Sequence, residues 1–83
     1  MKFTVTWSPK AERDVASLWL AAHDRAEVAK AADLFDAFLR DEAYPLAQAQ
    51  SNRGHILYYP PLAIHFEIID EDRLVLVLAC WRP

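Results

Sequence analysis

The run Leu62-Ala63-Ile64-His65-Phe66-Glu67-Ile68-Ile69, then Asp70-Glu71-Asp72, then Arg73-Leu74-Val75-Leu76-Val77-Leu78-Ala79-Cys80-Trp81, decides the fold class. In the first segment Leu62, Ile64, Phe66 and Ile68 recur at every second position with His65 and Glu67 between them, the period of a strand with one buried face. The acidic triplet makes a hairpin turn. The second segment is apolar at odd and even positions alike. Leu74, Leu76 and Leu78 fall on one side and Val75, Val77 and Ala79 on the other, the pattern of a strand interior to its sheet.

Moving toward the N-terminus, His55 to Tyr59 reads as a further strand, ended by Pro60-Pro61, which cannot continue a ladder. Residues Tyr44 to Gly54 hold Pro, Gln, Ser, Asn and the only glycine without sustained periodicity, and read as a loop. At the start of the chain Phe3, Val5 and Trp7 alternate with Lys2, Thr4 and Thr6, giving a first strand. Ser8 then offers an N-cap oxygen and Pro9 suits the first helical position. Ala11, Val15, Leu18, Trp19 and Ala22 form the buried stripe of a helix that exposes Lys10, Arg13, Asp14 and Ser17 and ends near His23. Asp24 and Glu27 have the spacing of a capping box. The second helix that they open carries Val28, Ala31, Ala32, Phe35, Phe38 and Leu39 on one face and stops near Glu42, since Pro45 opposes continuation. The order βααβββ predicts one α+β domain over residues 1–83, a helical hairpin packed on one face of a small, mainly antiparallel four-stranded sheet.

With 83 residues, 54% of them hydrophobic and 25% charged, the chain builds a single core. It lacks an apolar run long enough for a signal peptide or a membrane span, and Cys80 is its only cysteine, which excludes an internal disulfide and a CxxC metal pair. These features fit a reducing cytoplasm. A net charge of −3 argues against a surface that grips polyanions throughout. The charge is unevenly spread, however: from Tyr44 to Phe66 there is no Asp or Glu while Arg53, His55 and His65 lie within, and Arg73 to Pro83 is also free of acid. No phosphate loop, HExxH or dinucleotide glycine fingerprint occurs, so neither a cofactor nor a metal is expected.

The opening Trp7-Ser8-Pro9 with Ala11-Glu12 and the later Leu18-Trp19, together with the closing hairpin from Leu62 to Ala79, resembles the RelE/ParE toxin superfamily over nearly the whole chain. The resemblance implies the toxin of a type II toxin-antitoxin pair, neutralised by a cognate antitoxin. Its target is then either ribosome-bound mRNA, cut by a metal-independent, ribosome-dependent endoribonuclease (an mRNA interferase), or DNA gyrase, inhibited by binding. Two departures bear on the choice. Nuclease-type members carry an Arg on the strand before the final hairpin turn, where this chain reads Pro61-Leu62-Ala63, and many members extend beyond the last strand, where this one reads Arg82-Pro83. A catalytically silent, RelE/ParE-like protein-binding module is the alternative.

Metal-free RNA cleavage needs a group to activate the 2′-hydroxyl, a cation for the charged phosphorane and an acid for the leaving oxygen. The residues of suitable type are Arg53, His55, His65 and Arg82 as catalytic candidates, expected to converge with the tyrosines on the exposed sheet face. Tyr58, Tyr59 and Trp81 are the partner-binding candidates. Successive tyrosines alternate sides, which predicts one in the core and one exposed, and Trp81 either covers the core or anchors a partner. Each has a plainer structural reading: a solvated loop Arg53, a hydrogen-bonded His65 beside Glu67, core positions for Trp7 and Trp19, and a packed thiol at Cys80.

Overall fold

The computed structural model describes residues 2–49 and 54–83, with side chains for 2–41 and 54–83. Strand β1 (Thr4–Trp7) leads into α1 (Pro9–Ala21) and α2 (Arg25–Ala49), followed by β2 (His55–Tyr59), β3 (Leu62–Ile69), a 3-10 turn at Asp70–Asp72 and β4 (Leu74–Trp81). The sheet has the order β1-β4-β3-β2, with β1 parallel to β4 and the other neighbours antiparallel. The βααβββ order and the interior place of β4 agree with its two-sided apolar pattern. Among the described residues no helix is long and apolar enough to cross a membrane.

Local chemistry sets the element boundaries. Ser8 is the N-cap of α1, its Oγ accepting the Ala11 N–H at 3.1 Å, and Pro9 occupies the first turn, where a missing donor costs nothing. The α1–α2 link is only Ala22–Asp24, so the helices fold back as a hairpin. Asp24 starts α2 through its backbone carbonyl, which accepts the N–H groups of Glu27 at 3.0 Å and Val28 at 3.2 Å. Its carboxylate does not make the expected capping-box bond and turns to Arg82 instead. The expected stop near Glu42 is also corrected: α2 continues through Pro45 to Ala49, so the first part of the expected loop is helical. A proline inside a helix removes one hydrogen bond at a cost of about 3 kcal/mol, which disfavours continuation without forbidding it.

The core lies between the helices and one face of the sheet. Ala11, Val28, Ala31, Phe35 and Leu39 from the helices meet Phe3, Leu62, Ile64, Phe66, Ile68, Val75, Val77 and Cys80 from the sheet side. Burying each larger member contributes roughly 1.5–3 kcal/mol. Two stripe residues and one from the exposed side depart from expectation. Trp19 and Phe38 are about 40% exposed, and Asp14, expected in solvent, reaches into the backbone of β4.

That contact explains a slip in β4. Phe66 pairs with Val77 and His65 with Ala79, so Leu78 is an extra residue in a β-bulge. Beyond the bulge the facing parity reverses, placing Cys80 rather than Ala79 in the core. β1 ends opposite Val77, leaving the rest of that side of β4 without a strand. The start of α1 supplies the missing partners: the Ser8 N–H donates to the Val77 carbonyl at 2.9 Å, Ser8 Oγ donates to the Leu78 carbonyl at 3.3 Å, and Asp14 Oδ2 accepts the Cys80 N–H at 3.1 Å. Backbone groups that would otherwise be left unsatisfied are thereby paired.

Candidate functional site

The face of the sheet turned away from the helices is the one on which the candidate residues are expected to converge. Cross-strand pairing puts Ile56 and Tyr58 of β2 with His65 and Ala63 of β3, and the latter with Ala79 and Trp81 of β4. Tyr58 is 59% exposed and Trp81 37%. Glu67 follows His65 on the same side and pairs with Leu76. None of the four described strands carries a Lys or Arg, so the face they form offers an imidazole, a carboxylate and apolar or aromatic surface.

His55 does not join this face. It pairs with Phe66, lies buried at 7% exposure and stacks on the Phe66 ring at 5.2 Å between centroids. The two histidines are therefore on opposite sides of the sheet, and the expected convergence of His55 with His65 does not occur. His65 leans toward Gly54: a Cβ at that position, where φ is +44°, would meet His65 Nε2 at 3.2 Å. Glycine thus serves there both the left-handed backbone and the room for the imidazole. Arg53 lies outside the described residues. Both tyrosines are exposed, Tyr59 at 42%, which corrects the expectation of one in the core; β2 is an edge strand, and its helix-facing side chains lie at the margin of the core.

Arg82 is placed at the end of β4 and is engaged. Its two terminal nitrogens donate to the two Asp24 oxygens at 2.9 and 2.7 Å, a fork-to-fork pair that joins the end of the sheet to the turn between the helices. Bonding to the guanidinium lowers the Asp24 carboxyl to about 2, and the carboxylate raises Arg82 in return. Nearby, the Lys10 ammonium at 2.8 Å, and then the Cys80 N–H, hold the Asp14 carboxyl below its ordinary value. Burial, with a smaller contribution from Asp14, pushes the Cys80 thiol up to about 11, so Cys80 is a packed, protonated side chain with no nucleophile available near neutrality. Among the described residues no group of His, Cys, Asp and Glu is arranged to hold a metal ion.

Apolar grooves also mark the surface of the described residues, and the sequence pattern had hidden two of them among core stripes. The larger, about 560 Å³, runs along the helical hairpin over Val15, Trp19, Leu20 and Ala32, with Glu12 and Asp33 at its borders. Arg25 packs on Trp19, its guanidinium 4.7 Å from the ring and donating to the Trp19 and Leu20 carbonyls. The smaller, about 270 Å³, lies between α2 and β2 and is lined by Leu34, Phe35, Phe38, Leu57, Tyr58 and Tyr59. Exposed Trp, Leu and Phe gathered into grooves are a mark of surfaces that bind protein partners.

No family model matches the sequence, and no curated protein does either. Among solved structures the chain is similar to one in the toxin-antitoxin complex RelBE2 from Mycobacterium tuberculosis, with a TM-score of 0.75 at 19% identity, over 100% of this chain and 93% of that one. The helical hairpin on a four-stranded mixed sheet therefore shares its fold with that chain.

Proposed function

We propose that this chain is the toxin of a toxin-antitoxin pair, kept inactive by a small antitoxin that covers its apolar grooves. The observation that carries the reading is the RelE-like fold over the whole chain, on which the exposed apolar side chains gather along the helical hairpin and beside β2. The likeness is to a protein solved as a toxin-antitoxin complex, and a chain that leaves Trp19, Leu20 and Phe38 in the open gains solubility from such a cover.

In this reading the target is ribosome-bound mRNA or DNA gyrase, and the surface favours action by binding over autonomous cleavage. The strands carry no cation. Arg53 and Arg82 are the basic candidates and His65 the proton-transfer candidate, with Tyr58 and Trp81 as contact residues. His55, buried against Phe66, acts as a structural residue. A catalytically silent binding module is the second reading, favoured by that lack of strand cations.

Controlled expression tests the proposal. The chain alone is expected to arrest growth, and coexpression with a neighbouring small antitoxin gene to relieve the arrest and raise soluble yield. Arg53→Ala should weaken arrest, with Lys30→Ala on the exposed side of α2 as neutral control. A chain that is harmless at high expression, and whose solubility no neighbouring product alters, would falsify the toxin reading.

A further inference from the structure

The two edges of the sheet are built differently. β1 is short, and its start is tied to α2 by the Phe3 N–H bond to the Arg40 carbonyl at 2.9 Å and by Lys2 near Asp41. β2 lacks three of the devices that shield an edge, namely charge, proline and a bulge. His55–Tyr59 contains no Lys, Arg, Asp or Glu, the bulge lies between β3 and β4, and proline comes only after its last residue. Exposed apolar side chains flank this edge on both sides. Ile56 is 69% and Tyr58 59% exposed on the outer face; on the helix side Tyr59 shares its groove with Leu34 and Phe38, which stand one turn apart on α2.

We propose that this edge binds a second copy of the chain, β2 against β2 and antiparallel, so that two four-stranded sheets become one continuous sheet. A two-fold axis at Leu57 sets that residue against its own copy, Ile56 opposite Tyr58 on the outer face and His55 opposite Tyr59 on the inner one. No acid or base falls opposite its like, and the Leu34–Phe38 stripes of the two α2 helices meet across the same axis. Such self-complementarity is what an interface between identical subunits requires. At roughly 150–250 Å² per large side chain, the exposed fractions of Leu34, Phe38, Ile56, Tyr58 and Tyr59 amount to about 500 Å² per copy. Two copies would bury about 1,000 Å² before the strand edges are counted, the lower bound for a specific interface. The inference does not need the toxin reading, but a second copy and the proposed antitoxin would compete for the smaller groove of Leu34, Phe38 and Tyr59.

Sedimentation of the full chain from low micromolar to several hundred micromolar tests it, with amide exchange of β2 followed over the same range. The expected result is a monomer–dimer equilibrium with concentration-dependent protection of β2, weakened about tenfold or more by Ile56→Lys and unchanged by Thr6→Lys on β1. Leu34→Lys, on a different element, should weaken it as well and serves if Ile56→Lys fails to fold. A chain that stays monomeric throughout, or a dimer that survives both lysines, overturns the proposal. Protection of β2 that appears only on adding an antitoxin would assign the edge to a partner strand and overturn it too.

Discussion

Asp24 meets two demands at once, opening α2 with its carbonyl and gripping Arg82 with its carboxylate. The capping-box spacing located the helix start correctly and misassigned the side chain, because a partner 58 positions away leaves no trace in local sequence. The pair gives a signed pH dependence. The folded carboxyl lies at about 2 against an ordinary 3.8, so its contribution is fully present above the ordinary value and is lost as pH falls through the folded one. Asp24→Asn is expected to flatten the dependence of stability on pH across that interval, measured by denaturant unfolding at a series of acid pH values. The pair also separates two roles for Arg82. If the guanidinium acts on a target, Arg82→Ala abolishes growth arrest while Asp24→Asn, which frees it, preserves or raises arrest. If its role is to join sheet to hairpin, both variants lower the melting temperature alike and affect arrest alike. Similarly, His55 and His65 were legible as chemistry and not as geometry: which face each takes depends on the pairing of β2 with β3, fixed only when His55 aligns with Phe66.

The strands were the most legible elements, since period-two alternation in β1 and β3 and the two-sided apolar run of β4 follow directly from which faces are covered. The slip within β4 was not legible. Its bulge is specified from outside, by the β3 register and by Ser8 and Asp14 of the α1 start. Asp14→Ala should therefore destabilise by about 1 kcal/mol, the size of one backbone hydrogen bond to a partly exposed carboxylate, and speed amide exchange at Cys80 more than at Val75. The helix stripes overran the core because a sheet of four strands is narrow. Two helices cover it with their inner flanks, and Trp19 and Phe38, one step around each helix, overhang into grooves. In α2 the penalty at Pro45 was outweighed and the helix runs on to Ala49. Pro45→Ala restores an N–H at that position at the expense of some unfolded-state entropy, and is expected to raise stability by about 1–2 kcal/mol, read from the denaturation midpoint at constant slope.

At the scale of the whole molecule, charge decides what kind of action is open to the fold. The chain has a net charge of −3, and the outer sheet face carries His65 and Glu67 with no Lys or Arg on any described strand. Counterion release from phosphates, which supplies most nonspecific nucleic-acid affinity, needs several cations acting together. Cleavage asks more, since the phosphorane carries an added negative charge, and removing one preorganised donor costs about a hundredfold or more in rate. Arg82 is engaged with Asp24, so releasing it for a phosphate requires a partner that competes with a fork-to-fork ion pair. Free RNA is therefore expected to survive incubation with the purified chain. A translation toxin built this way would take its missing positioning and charge from the ribosome, and cleavage would appear only on mRNA in the decoding site. A gyrase inhibitor would leave transcripts intact and block supercoiling in a purified assay. Running naked RNA, programmed ribosomes and gyrase in parallel separates these outcomes. Efficient cutting of naked RNA would contradict the reasoning from charge, while inactivity in all three assays would leave partner binding as the activity of the fold.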